Sequence, residues 1–231
     1  MLGSRKTAII EPSRSALIMI DMQNYFLHPD LSPDATAGRS IVNTTVRMVE
    51  SARKSNMTTL WVNWGIDDFD LLTMPPSLLS DFSNGSNSMS ETFGSEMKTV
   101  NGIEPGRLLW RGAWNSELYG PLKPLHAEGA RLGTDHWFHK NRQSGLWGAQ
   151  TPLGLWLQEN QITTLFLGGV NIDQCVWGTL LDGFYKGYDV VLVPDISATT
   201  SPYYATEMVY YNTDSRGFMA NSTEIIRGLA N

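Results

Sequence analysis

Apolar residues along this chain keep two rhythms. Five short runs, at 15–20 (SALIMI), 58–63 (TTLWVN), 134–139 (TDHWFH), 162–167 (ITTLFL) and 188–194 (YDVVLVP), are rich in aliphatic, β-branched or aromatic residues, and their length suits strands. Segments between them carry apolar positions at helical spacing. The stretch 40–54 places Ile41, Val42, Thr45, Val46 and Val49 on one stripe, and 116–125, 152–160, 203–212 and 222–229 predict further helices. After Gln174, the residues Val176, Trp177, Leu180, Leu181 and Phe184 recur helically until Gly187 supplies a stop. Strands that alternate with helices predict an α/β fold. The expectation is one domain over residues 1–231, a three-layer α/β/α arrangement with a mostly parallel central sheet covered on both faces. Between about 65 and 113 the rhythm fails. Pro75-Pro76 and the Ser/Asn/Gly-rich stretch at 83–90 mark a long irregular insertion, of the kind that often forms a functional lid.

In open parallel sheets, ligands bind outside the carboxyl ends of the strands. That rule selects Asp21, Lys140 and Cys175, each at or just past the end of an expected strand. Cys175 is the single cysteine, and the glycines Gly168-Gly169 are expected to end its strand and set it at a turn into a helix. Helix-start N–H groups favour a thiolate and can hold an oxyanion. The opposing reading is a buried cysteine that packs as a small hydrophobe, and the turn leaves the two evenly matched. Asp21 alone reads equally as a turn former, and Lys140 as a solvated side chain. Together they make a candidate constellation, with Asp21 taking the thiol proton and Lys140 stabilising both anions.

Composition narrows the chemistry. The formal charge is −6 and the sequence has no run of basic residues, which argues against a nucleic-acid or membrane surface and for a small-molecule substrate. One cysteine forms no internal disulfide, and neither a leader-like apolar segment nor a membrane-length run is evident, so the expected location is cytoplasmic. Asn-x-Ser/Thr patterns at Asn43, Asn56, Asn84 and Asn221 are short enough to arise by chance.

A more specific signal lies in three blocks. Ala16-Leu17-Ile18-Met19-Ile20-Asp21-Met22-Gln23-Asn24-Tyr25-Phe26, then Lys140-Asn141-Arg142-Gln143-Ser144-Gly145, then Gly169-Val170-Asn171-Ile172-Asp173-Gln174-Cys175-Val176 resemble the signature blocks of the isochorismatase-like cysteine hydrolases, in that family's order. Asp182-Gly183-Phe184 and Val193-Pro194-Asp195-Ile196-Ser197-Ala198 resemble the family's downstream pattern. The resemblance implies that Asp21 is the general base, Lys140 the catalytic lysine and Cys175 the nucleophile. It further implies a cis peptide between Val170 and Asn171 and an oxyanion hole built from the N–H groups of Asn171 and Cys175. Where the family has a threonine or another small residue, this chain has Asn171 and Ile172. The implied reaction is cysteine-dependent hydrolysis of a C–N bond through a thioester. Retention of Cys175 weighs against hydrolysis of the vinyl ether of isochorismate, which siderophore-type members perform without the cysteine.

Within the family, Trp61-Val62-Asn63-Trp64-Gly65, Gly112-Ala113-Trp114-Asn115 and the Lys140 block are most similar to ureidoacrylate amidohydrolases. Candidate substrate contacts are Gln23, Phe26, Trp64, Trp114 and Trp147, with Arg142 and Gln143 for a carboxylate or carbonyl. Core packing for the aromatics and solvent exposure for Arg142 and Gln143 are the competing readings. The four histidines, His28, His126, His136 and His139, lack zinc spacing, so neither metal nor other cofactor is expected. The family resemblance also implies a homodimer or homotetramer. Two rivals come from other classes. A non-catalytic binding or scaffold protein would lack one of the three reactive residues, and a dinucleotide-binding fold would need G-x-G-x-x-G where Asp21-Met22-Gln23-Asn24-Tyr25-Phe26 stands.

Overall fold

A computed structural model of the chain describes residues 8–81 and 92–230. The 83–90 stretch and the Asn84 pattern lie outside them. Its centre is a six-stranded sheet, β1 (Ser15–Ile20), β2 (Thr58–Trp64), β3 (Asp135–Lys140), β4 (Thr164–Val170), β5 (Asp189–Ala198) and β6 (Phe218–Met219), in the order β3-β2-β1-β4-β5-β6. Every pairing is parallel. β1 lies between β2 and β4 and alternates its faces, with Ala16, Ile18 and Ile20 in one apolar layer and Leu17 and Met19 in the other. That two-sided burial explains its unbroken apolar sequence. Helices α3 (Val42–Lys54), α6 (Leu122–Leu132) and α10 (Ser222–Leu229) send Met48, Val49, Leu122, Leu125 and Ile225 into one layer. On the opposite face, α7 (Pro152–Glu159), α8 (Trp177–Tyr185) and α9 (Tyr203–Arg216) contribute Leu153, Leu157, Leu180 and Val209. The fold is a three-layer α/β/α sandwich.

Several expected boundaries move, for local reasons. The helix expected at 116–125 begins instead at Leu122, because the chain first makes a 3₁₀ turn at Trp114–Ser116 and an antiparallel bridge from Leu118 to Gln23. Pro121 disfavours a helical Gly120 and leads into the new start. Gly133, with φ 74°, closes α6 in the left-handed conformation that glycine adopts most readily. The two glycines of the Cys175 block do not end β4, which runs through them to Val170 with a register shift between Leu167 and Gly169. Gly169 has φ 125°, and a Cβ there would lie 2.0 Å from the Ile20 carbonyl oxygen. Only glycine lets β4 pass so near β1. The two-residue edge strand β6 is too short to leave a periodic signal.

The insertion is more ordered than its sequence pattern suggests. It holds α4 (Asp68–Thr73), started by a reciprocal cap between Asp67 and Asp70, and α5 (Pro76–Leu79), with Pro76 at its first position. A ribbon follows, with antiparallel bridges Glu96 to Arg107 and Val100 to Ile103. Buried Asn115 holds its return, donating to the carbonyls of Pro105 and Arg107 and accepting from the Leu109 N–H, each at 2.8 Å. Phe93, Leu108 and Leu109 thereby join the apolar layer that contains Trp64, Ile172 and Cys175. Short helices α1 (Asn24–Leu27) and α2 (Thr36–Ser40) complete the path from β1 to α3.

Candidate active site

Four adjacent strands deliver the reacting groups to one edge. Asp21 follows β1, Trp64 ends β2, Lys140 ends β3 beside it in register, and Cys175 comes five residues after β4. The chain reverses its direction of strand addition between β1 and β4, and Asp21 and Cys175 flank that switch point. Asp21 has φ 53°, a left-handed conformation that aspartate tolerates better than most residues. Its N–H remains bonded to the Val62 carbonyl at 3.1 Å. Cys175 does not sit at the α-helix start. It lies within a π-helical turn, Ile172–Val176, that precedes α8. The Asn171 carbonyl closes that turn by accepting from the N–H groups of Gln174 at 3.1 Å and Val176 at 3.2 Å. Single π turns inside helices occur often at functional sites. The Val170–Asn171 peptide is cis.

Lys140 is the hub. Its ammonium lies 3.0 Å from Asp21 Oδ2, 3.4 Å from Cys175 Sγ and 3.1 Å from the Arg142 carbonyl oxygen, and 3.7 Å above the centre of the Trp64 ring. The sulfur and the carbonyl accept hydrogen bonds from the ammonium, and the carboxylate pairs with its charge. Asp21 Oδ1 accepts from the Trp64 N–H at 3.0 Å. All three candidate residues are buried, with Asp21 0%, Cys175 3% and Lys140 4% exposed. Burial pushes the Asp21 carboxyl above its ordinary value, against the lowering effect of the Lys140 charge and of the bonds it accepts. It also pushes the Cys175 thiol up to about 12, again opposed by Lys140. With one ammonium between them, burial disfavours both groups being anionic at once. Moving a proton from sulfur to carboxylate shifts a charge without adding another.

The sequence missed Thr179. It stands one helical turn after Cys175 and donates to the Cys175 carbonyl at 2.8 Å, while its oxygen accepts the Gly145 N–H at 3.0 Å. This fastens the Cys175 turn to the loop that follows Lys140. The spacing was available, since a mid-helix threonine often bonds the carbonyl four residues back.

The proposed substrate contacts separate into other duties. Gln23 is fully buried, donates to the carbonyls of Trp64 and Ser116 at 2.8 Å each, and accepts from the Trp64 N–H at 3.1 Å, so its amide clips backbone to backbone. Trp64 is also fully buried, with Lys140 over its ring and Phe93 4.7 Å away. Phe26 packs into both apolar layers, edge-on to Tyr25 at 5.0 Å. Trp114 meets His28 edge-on at 4.9 Å, and its carbonyl accepts from Asn24 at 2.9 Å. Arg142 donates to the Thr73 carbonyl at 3.1 Å and stacks on Trp147 at 4.5 Å. Gln143 donates to Asp81 at 3.1 Å, and the Asn141 side chain donates to Asp70 and accepts the Trp147 indole N–H on Oδ1 at 3.0 Å. Asn141, Arg142 and Gln143 thus bind the insertion to the edge of the site.

This architecture is that of the isochorismatase-like hydrolases, and comparison with known proteins agrees. The isochorismatase domain model matches residues 15–217, and the chain belongs to that family. A ureidoacrylate amidohydrolase of Cronobacter sakazakii is 28% identical over 213 residues, covering 88% of this chain and 83% of the relative. The nicotinamidase of Bacillus subtilis superimposes with a TM-score of 0.65 at 25% identity, over 90% of this chain and 99% of its own. A cysteine hydrolase of Pseudomonas syringae pv. phaseolicola shares the fold with a TM-score of 0.74 at 19% identity, over 98% of each chain.

Proposed function

We propose that this protein hydrolyses a carbon–nitrogen bond in a small amide or ureido substrate, with Cys175 as nucleophile and Asp21 as the proton carrier. The observation that carries the reading is the single ammonium within reach of both the carboxylate and the sulfur. Asp21 takes the thiol proton, and the thiolate adds to the substrate carbonyl carbon. The N–H groups of Asn171 and Cys175 hold the resulting oxyanion, as the family resemblance implies. Asp21 then gives its proton to the leaving nitrogen, the C–N bond breaks, and ammonia or an amine departs from a thioester. Water, deprotonated by Asp21, attacks the thioester and restores the thiol. The likeness to proteins named as an amidohydrolase and a nicotinamidase supports C–N chemistry. Vinyl-ether hydrolysis of isochorismate would need protonation and water and leave the thiol unused.

The test is ammonia release from a panel of amides and ureido acids. Turnover is expected in the native protein and should fall at least about 10⁴-fold in Cys175→Ala, with a quenched acyl adduct on intact mass that the variant lacks. Undiminished turnover by Cys175→Ala, or cysteine-independent release of pyruvate from isochorismate, overturns the reading.

A further inference from the structure

Trp64 occupies an unusual position in this site. Its backbone N–H donates to Asp21 Oδ1 at 3.0 Å, its carbonyl accepts from Gln23 at 2.8 Å, and its ring lies 3.7 Å beneath the Lys140 ammonium. One residue therefore touches the base through its main chain and the cation through its side chain. The two contacts are chemically separable, because a side-chain change leaves the N–H in place.

We propose that Trp64 is a positioning residue, whose indole face holds the Lys140 ammonium between Asp21 and Cys175 and thereby sets the reactivity of the thiol. The geometry requires some such wall. Lys140 is a flexible four-carbon stem, and its ammonium donates to a sulfur and a carbonyl while pairing with a carboxylate. A further acceptor would compete for its protons. An aromatic face attracts the cation through its quadrupole without accepting a hydrogen bond in their place, and the attraction is strongest for tryptophan in a desolvated setting. Phe93, 4.7 Å from the indole and buried with it, backs the ring from the insertion. The insertion thus bears on the ring that faces the lysine. The ring serves the lysine. The inference deepens the amidohydrolase reading and rests on the same triad.

The test replaces Trp64 with a series of progressively fluorinated tryptophans, introduced at this codon alone. Fluorine withdraws density from the ring while barely changing its size, so packing is retained and only the cation attraction weakens. The readout is the rate of Cys175 alkylation by iodoacetamide at fixed pH, followed by intact mass, with kcat and KM on the best amide measured beside it. A graded fall in alkylation rate is expected, about tenfold across the series, with kcat falling in parallel and KM little changed. Trp64→Phe should recover most of the native rate, whereas Trp64→Leu should not. Equal alkylation rates across the fluorinated series overturn the proposal. Because alkylation needs no substrate, a flat series in an active amidase removes the role of Trp64 alone. A graded series in a protein that releases no ammonia removes the amidase reading alone.

Discussion

Burial acts on Asp21 and Cys175 in the same direction, favouring the protonated form of each, and the Lys140 ammonium opposes it at both. A single cation does not support two anions there, so burial disfavours the doubly ionised site. This has a consequence for pH dependence. In the proposed mechanism Asp21 works as a base only when deprotonated, and its folded-state carboxyl lies above the ordinary 3.8. Activity is lost as pH falls through that raised value, so the acid limb of kcat/KM should be centred above pH 3.8 and not below it. A profile of kcat/KM against pH reads this directly. Asp21→Asn, which cannot accept the proton, should lose about 10²- to 10⁴-fold throughout the range. An acid limb centred at or below 3.8 would assign the limb to another group.

At the scale of elements, the site is a set of strand ends bound by crossing hydrogen bonds. Thr179 of α8 joins the Cys175 turn to Gly145, and so to the loop after β3 that carries Lys140. Thr179→Val keeps the shape and removes both bonds, leaving the buried Gly145 N–H without its acceptor. The expected cost is about 2–3 kcal/mol of stability, and kcat should fall about 10- to 100-fold as sulfur and ammonium lose their spacing. KM should change less. Parallel thermal melts and steady-state kinetics check the pair of effects, and a destabilised variant with native kcat would show that Thr179 serves only the fold. This element-level wiring explains what the sequence could and could not reveal. β1 and α10 have the bounds their periodicity predicts, 15–20 and 222–229, because each buries a regular face. Asp21, Lys140 and Cys175 were legible because strand ends can be read one at a time. The passage of β4 through Gly168 and Gly169 depends on how near Ile20 lies, a tertiary fact that no local pattern carries. The same holds for Arg142 and Gln143, whose partners Thr73 and Asp81 are more than sixty residues away. The reciprocal Asp67 and Asp70 cap was visible as a spacing, yet α4 is too short to announce itself by apolar repeat.

For the whole molecule, the sheet has two ends with different duties. Chemistry gathers at the carboxyl ends of the strands, while the amino end of β3 carries a buried ion pair between Asp135 and Arg53. Arg53 donates to both carboxylate oxygens of Asp135, at 2.9 and 2.8 Å, and also to the Leu125 carbonyl at 2.7 Å. Trp61 adds an indole N–H to Asp135 at 2.8 Å. The pair thus ties α3, α6, β2 and β3 together. Breaking it in Asp135→Asn leaves a largely buried guanidinium with only the exposed Glu128 carboxylate, 4.0 Å away, as counter-charge, at a cost of about 3 kcal/mol. In a chain of this size that lowers the melting temperature by about 10 °C. Asp135 and Lys140 stand at opposite ends of one strand, about 16 Å apart at the ordinary rise per residue, beyond the range at which substitutions usually couple. Below its melting point the variant should therefore keep native kcat and KM. Combined with Thr179→Val, the two losses of stability should add, while kcat should match that of Thr179→Val alone. A kcat that falls further in the double variant would mean that the two ends of the sheet communicate, and that the ion pair contributes to the placement of Lys140.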